Sequence, residues 1–395
     1  MAAATPAPRI RKARPALFAV FGLNGMLSAV WIVHIPAITA RTGVGPTTFG
    51  MLILLMTVCA IAGMQTAGPL ADRLGSRTLT TAAVTLLALT LLGPAHATSP
   101  ATLGLALGAF GFANGALDVS MNAQAVHIER AYGRPIMSAF HAFFSCGGFL
   151  GSAYGAATQH AHWSPTATFL LATGFGLVVI ALAIPNLLPH VDAAATPHAA
   201  GEAVPQSRIR RKVLALGLIA FAVLMAEGVA ADWSALQVKD RLGVDTGTAA
   251  LAFTGFSLTM TVGRFGADRV AGRIGRVALL RWGTALAAIG FGAVVVSGWL
   301  PLTVLGWALC GIGLAGGVPQ VFTAAGNLGS ATAATDMSRV FGLGYVGLLA
   351  GPAIIGWLDK LVPLTAAMVV PLVAMVLCAC GARAVAAPAP ESVRD

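Results

Sequence analysis

Two acidic residues, Asp118 and Glu227, lie inside long apolar stretches of the chain. Ionisable groups in hydrocarbon are costly and face a cavity or a partner. Desolvation disfavours the charged form of an acid, so such a group can take up a proton and release it as its access changes. Proton coupling or substrate contact is the chemistry these two acids offer. An acid held permanently by an arginine is the alternative. No arginine is read at the same depth in any apolar stretch, which argues against it.

Uncharged polar residues recur beside these acids with helical spacing. Asn114, Asp118 and Asn122 fall at i, i+4 and i+8, on one helix face. Asn24, Ser28 and Trp31 fall at i, i+4 and i+7, and Gln320, Thr323 and Asn327 at i, i+3 and i+7. Glu227 shares its stretch with Asp232, Trp233 and Ser234 near the outer end, where Asp232 can equally sit among lipid headgroups. Amides and hydroxyls with an indole can hydrogen-bond a polar solute and stack on its apolar face. A helix–helix hydrogen bond and an interfacial anchor account equally well for Asn24 and Trp31. His141, one turn before Ser145, is a candidate for substrate contact or proton relay, against the commoner structural role of a lone histidine.

Other chemistries find no support. There is no Gly-x-x-x-x-Gly-Lys-Ser/Thr loop to cradle a nucleotide phosphate, and no His/Cys/carboxylate cluster with metal-ligand spacing. Cys59, Cys146, Cys310, Cys378 and Cys380 all fall within apolar stretches and read as small buried hydrophobes. No enzyme, cofactor or metal is expected.

The elements that position these residues follow from composition. The 395 residues are 57% hydrophobic and 10% charged, with a mean hydropathy of +0.82, whereas soluble domains carry about 25% charged residues. A helix crosses a bilayer with about 20 apolar residues. Spans are predicted over 16–38, 47–67, 79–97, 101–126, 137–159 and 165–187, then 213–235, 247–267, 278–299, 301–325, 338–358 and 364–382. Period-two alternation is absent, which disfavours a β-barrel. The expectation is an all-α polytopic membrane protein with twelve transmembrane helices in two pseudo-symmetric six-helix bundles. The predicted divisions are an N-terminal tail (1–15), a first bundle (16–188), a linker (189–212), a second bundle (213–383) and a C-terminal tail (384–395). The stretch from Pro189 to Ser207 is rich in Ala, Pro and His and too polar to span.

A net charge of +10 could suggest nucleic acid. Its distribution says otherwise. Of 24 lysines and arginines, only Arg41, Lys239, Arg241 and Lys360 fall in the predicted outer loops. That asymmetry is the positive-inside pattern, with both termini cytoplasmic, and the basic excess meets anionic lipid. The basic N-terminal segment reads as a cytoplasmic tail, not a signal peptide.

The two halves repeat. Residues 103–113 align with 305–315, Met137-Ser138 with Met337-Ser338, Gly147 and Gly151 with Gly347 and Gly351, and Asp72-Arg73 with Asp268-Arg269. Matches in order at nearly constant offset indicate a parallel duplication. Between spans 2 and 3 lies Gly68-Pro-Leu-Ala-Asp72-Arg73-Leu-Gly75-Ser76-Arg77. This loop resembles the signature loop of the major facilitator superfamily, departing at Ser76 where an arginine is usual. The copy at Gly263-Arg264-Phe-Gly-Ala-Asp268-Arg269 is looser. Within the superfamily, Asn114-Gly-Ala-Leu-Asp118-Val-Ser-Met-Asn122 and His141-Ala-Phe-Phe-Ser145-Cys-Gly-Gly are similar to the fucose-permease-like branch and its uncharacterised bacterial inner-membrane subgroup.

The resemblance implies a twelve-helix secondary transporter whose helices 1, 4, 7 and 10 line a central cavity; these are the spans that carry the polar stripes. It implies a gate role for Gly68, Asp72, Arg73, Gly75, Arg77, Asp268 and Arg269. Asp72 can cap a helix N-terminus and pair with nearby arginines. An acid on helix 4 is implied to carry the proton, and Asp118 lies there. The expected function is proton-coupled movement of a small, polar, sugar-like solute across the cytoplasmic membrane by a monomer. Its expected partners are that solute, protons and lipid, and no nucleic acid. Proton-antiport efflux of a drug or metabolite, and a transporter-like sensor or scaffold, are the other readings. The drug-antiporter pattern places Gly-x-x-x-Gly-Pro on helix 5; here Gly351-Pro352 is on span 11, which weakens that reading.

Overall fold

The computed structural model describes residues 7–189, 206–330 and 332–386. The central part of the expected linker and the outermost residues of both expected tails lie outside them. Among the described residues there are helices and turns and no strand. In hydrocarbon a chain satisfies its backbone within each segment, and the helix does so.

Six long helical segments make the first half: α1 (Pro8–Thr42), α2 (Pro46–Leu74), α3 (Ser76–His96), α4 (Pro100–Tyr132), α5 (Met137–His160) and α6 (Pro165–Asn186). Six more follow: α7 (Gln206–Leu242), α8 (Leu251–Ile274), α9 (Arg276–Val296), α10 (Leu300–Gly326), α11 (Ala333–Leu358) and α12 (Leu364–Val385). Ten of these helices are long and apolar enough to cross a membrane. The other two, α5 and α8, each have 24 residues, and α8 carries Arg264, Asp268, Arg269 and Arg273. Helix runs past the predicted spans where the sequence turns basic. α1 already begins at Pro8, and the cluster Arg208–Lys212 forms the first turns of α7. Arginine and lysine are good helix formers, and outside the hydrocarbon they keep their charges in water.

Three helices are interrupted, each at a proline. Proline cannot donate to the carbonyl four residues before it. Pro94 leaves Thr90 without its partner and α3 breaks at Leu91; Pro319 does the same to Ala315, and α10 breaks at Ala315–Gly316. Pro371 is paired in this way with Ala367, and α12 breaks at Met368. Pro15 and Pro36 in α1, Pro69 in α2 and Pro352 in α11 sit inside continuous helix.

The chain forms two compact units. The first holds α1–α6 apart from the start of α5, together with Ala331–Ser338, a stretch that includes the start of α11. The second holds α7–α12 apart from that start of α11, together with Pro135–Ala139 at the start of α5. Inside the first unit, a Cβ on Gly147 of α5 would run into the carbonyl of Gly22 on α1; inside the second, a Cβ on Gly347 of α11 would strike that of Phe221 on α7. The two glycines are repeat-related. Each lets its helix lie backbone-to-backbone on the first helix of its own half, the close approach that small residues permit in membranes.

Candidate functional site

In the first unit, α1 and α4 present the predicted polar residues to buried surroundings. Asn122 is fully buried and Asp118 is 8% exposed. One helical turn brings them together: Asn122 Nδ2 donates to Asp118 Oδ1 at 3.1 Å and to the Asp118 carbonyl at 2.8 Å. The i, i+4 stripe therefore closes partly on itself. Asn122 Oδ1 and Asn114 Oδ1 are buried without a hydrogen-bond partner. On α1, Asn24 reaches only the thioether of Met121, at 3.9 Å, a weak acceptor, and its Oδ1 is buried without a partner. Trp31 is buried and Ser28 half-buried. His141 on α5 meets the Phe21 ring edge-on at 5.5 Å, and Ser145 donates to its carbonyl.

In the second unit, α7 and α10 carry the corresponding residues. Gln320 and Thr323 are almost wholly buried on one face of the lower half of α10, below the break at Gly316. Neither amide atom of Gln320 nor the Thr323 hydroxyl has a hydrogen-bond partner. Asn327 turns back, donating to the Thr323 carbonyl at 2.7 Å. Trp233 donates to the Pro352 carbonyl at 3.2 Å and lies against Gly356, so α11 holds its indole. Asp232 is exposed. Gln237, a turn beyond Trp233, is a satisfied buried amide that donates to Thr365 and accepts from Trp307.

Glu227 is not placed as the sequence suggested. Arg264 of α8 donates from Nη2 to Glu227 Oε1 at 3.2 Å, with the two side chains 14% and 23% exposed. The expectation that no arginine lies at the depth of the acids is corrected here. Arg264 fell within the predicted span 247–267 but was counted with the basic inner loops. The signal was its own position, a charge inside an apolar stretch.

The signature aspartates also have defined partners. Asp72, at the end of α2, accepts from the N–H groups of Ala334 and Thr335 at 3.0 Å each and from the Thr335 hydroxyl at 2.6 Å. These lie in the first turn of α11, within the same unit. Asp268 accepts from the N–H groups of Ser138 at 2.9 Å and Ala139 at 2.8 Å, in the first turn of α5 and again within one unit. Each carboxylate thus occupies a helix N-terminus, where orphan N–H groups and the helix dipole favour an anion. Asp72 is held by these groups and not by Arg73 or Arg77. Arg73 and Arg269 are exposed and Arg77 half-buried. Gly68 packs against Thr335 and Ser338, where a Cβ would come within 2.8 Å of Thr335 Cα. Gly75 and its repeat partner Gly275 form the one-residue joints α2–α3 and α8–α9, at φ of 85° and 84°, values that favour glycine.

One buried histidine carries no sign of itself in the sequence. His34 on α1 is 1% exposed, bonds the Val30 carbonyl through Nδ1 and meets Phe169 edge-on. Nothing in its spacing sets it apart.

The comparisons agree with this architecture. The model of the Major Facilitator Superfamily matches residues 17–231. An uncharacterized MFS-type transporter of Yersinia pestis is 32% identical over 365 residues, covering 92% of this chain and 94% of that protein. Among solved structures, the E. coli fucose:proton symporter FucP superposes with a TM-score of 0.77 at 14% identity, over 95% of this chain and 98% of that one. The human organic anion transporter MFSD10 superposes with a TM-score of 0.75 at 16% identity, over 95% and 100% of the two chains.

Proposed function

The chain belongs to the Major Facilitator Superfamily, and we propose that it is a proton-coupled symporter for a small, uncharged, sugar-like solute. It is a multi-pass membrane transporter by family. The observation that carries the finer reading is the set of buried, unpartnered, uncharged polar atoms. They include Asn24 Oδ1, Asn114 Oδ1 and Asn122 Oδ1 in one unit, and both amide atoms of Gln320 with the Thr323 hydroxyl in the other. A buried polar group without a partner costs about 1–3 kcal/mol. Hydroxyl groups of a ligand both donate and accept, so they match a mixed set of amide and hydroxyl atoms. Such a set is poorly suited to an organic ion. The fold shared with a fucose:proton symporter supports the same class.

Two acids offer proton binding, each with a neighbour that responds to it. Asp118 accepts from the side-chain amide of Asn122. Glu227 takes Arg264. A proton on Glu227 neutralises the carboxylate and weakens its hold on Arg264. Asp268 is four residues on along α8, one turn away. Protonation of Glu227 therefore changes the charge balance at Arg264, beside the carboxylate that holds the start of α5. This route links proton binding to the Asp268 cap and so to alternating access.

The test is uptake into proteoliposomes under an imposed inward proton gradient, with a panel of labelled monosaccharides and polyols and a parallel set of organic ions. Gradient-driven uptake of a neutral polyol, lost in Asp118→Asn or Glu227→Gln while substrate exchange without a gradient persists, is the expected result. Proton-driven extrusion of an organic ion with no polyol uptake would replace this reading by antiport.

A further inference from the structure

A groove of about 440 Å³ runs between the basic end of α1 and the end of α6, inside the first unit. Its walls are Pro15, Ala16, Ala19, Val179, Leu182 and Ala183, with Lys12 and Asn186 at its mouth. The sequence makes the groove. Higher up, α1 and α6 are in contact, and a Cβ on Gly176 would meet Leu23 at 3.3 Å. Toward the basic end Ala16 and Ala19 of α1 and Ala183 of α6 are too short to fill the space between the helices. Its volume is that of a small-molecule site, roughly 300–1,000 Å³.

We propose that this groove binds an anionic phospholipid, with an acyl chain along Ala16, Ala19 and Val179 and the phosphodiester at Lys12. Three observations point to that occupant. The groove borders the lipid-facing side of α6, where Leu170, Leu171, Phe175, Val178 and Leu182 are 51–70% exposed. Exposed aliphatic surface of this kind on a spanning helix meets acyl chains. Charge is the second. Arg9, Arg11, Lys12 and Arg14 stand in the first two turns of α1, and neither α1 nor α6 contains a single Asp or Glu. Lys12 is exposed and has no carboxylate partner among the described residues. The third is depth: the one cation and the one amide of the lining share the same end, while the remainder is apolar, which is the polarity of a lipid from headgroup to tail. Basic pockets between helices at a membrane face are known to select anionic headgroups. Asn186 donates to the Leu182 carbonyl at 3.2 Å, which leaves its oxygen to accept a headgroup hydroxyl.

The site is independent of the transported solute. It is tested with the full-length protein in vesicles carrying trace phosphatidylglycerol with a photoactivatable group on its acyl chain, the labelled peptides being mapped by mass spectrometry. Labels concentrated on residues 12–19 and 179–186, several-fold above those on the exposed Leu170–Phe175 face, are expected. Excess unlabelled phosphatidylglycerol should suppress them and phosphatidylcholine should not. Ala19→Trp, which fills the groove, should lower labelling several-fold there and leave the Leu170 face unchanged. Lys12→Gln, an exposed substitution that leaves the packing intact, should lower labelling by phosphatidylglycerol to the level seen with phosphatidylcholine. Even labelling along α6, equal competition by the two lipids, or indifference to both variants would overturn the proposal. So would a cross-link showing the groove occupied by the chain's own residues 190–205.

Discussion

Arg264 of α8 donates to Glu227 of α7 at 3.2 Å, one helical turn from Asp268, whose carboxylate caps the start of α5. The pair is largely removed from solvent, so Arg264→Gln leaves the Glu227 carboxylate without its guanidinium, which costs more than replacing both side chains. Glu227→Gln and Arg264→Gln should each lower the thermal unfolding midpoint in detergent. The double variant should lie above Arg264→Gln, with a coupling of about 0.5–3 kcal/mol in the cycle. Additive losses would mean that the two side chains do not depend on each other.

The aspartate caps predict a local signature. A carboxylate on a helix N-terminus contributes about 0.5–2 kcal/mol, most of it felt in the first turn. Asp72→Ala should speed hydrogen exchange of the Ala334 and Thr335 amides and leave Ser138 and Ala139 unchanged; Asp268→Ala should do the reverse. Mass-spectrometric exchange on peptides covering 333–339 and 137–141 reads both. A variant that loosened both helix starts equally would show that the caps are not separate.

Packing makes a sharper distinction among glycines than sequence does. Gly147 sits on the Gly22 backbone, whereas a Cβ added to Gly174 of α6 would meet nothing within 4 Å. Gly147→Ala must push α5 off α1 and should lower the unfolding midpoint. Gly174→Ala gains helix propensity of about 0.5–1 kcal/mol and should be neutral or stabilising.

How much of this was legible beforehand follows from the range of each interaction. Spans, the repeat and the polar stripes are local patterns in hydropathy and spacing, and the helices carry them. The helix-capping capacity of Asp72 was also legible from its type. Its partner was not, since Thr335 lies 263 residues away. Arg264 shows the opposite failure. A charge near the end of a predicted span was read by the rule that governs loops, and only tertiary packing reveals that it faces Glu227. Proline was likewise ambiguous: Pro94, Pro319 and Pro371 break their helices while Pro36 and Pro352 do not, because neighbouring packing decides whether the lost bond is tolerated.

Outside the spans, Asp245 caps the turn before α8. The Thr248 hydroxyl, helped by the Thr248 and Gly247 N–H groups, holds its carboxyl below the usual carboxylate range. A depressed folded value means the cap is in place above the unfolded pKa, about 3.9, and is lost as pH falls through the lower folded value. Exchange protection at Thr248 should persist at neutral pH and fall only on strong acidification. Asp245→Asn should remove that pH dependence; an unchanged profile would assign it elsewhere.

Gln320 and Gln237 separate a binding role from a structural one. Both are buried amides, but Gln237 bridges Thr365 and Trp307 while Gln320 has no partner for either of its polar atoms. Removing a satisfied amide forfeits its bonds and strands their partners, at about 1–3 kcal/mol. Removing an unsatisfied one forfeits nothing inside the protein and relieves its desolvation penalty. Gln237→Leu should therefore lower the unfolding midpoint, while Gln320→Leu and Thr323→Val should hold or raise it. If the α10 residues contact solute, the same two substitutions should cut uptake at least several-fold, so that stability and transport move in opposite directions. A loss of stability in Gln320→Leu matching that of Gln237→Leu would show its amide to be structural, and full transport in both α10 variants would remove that helix from the solute site.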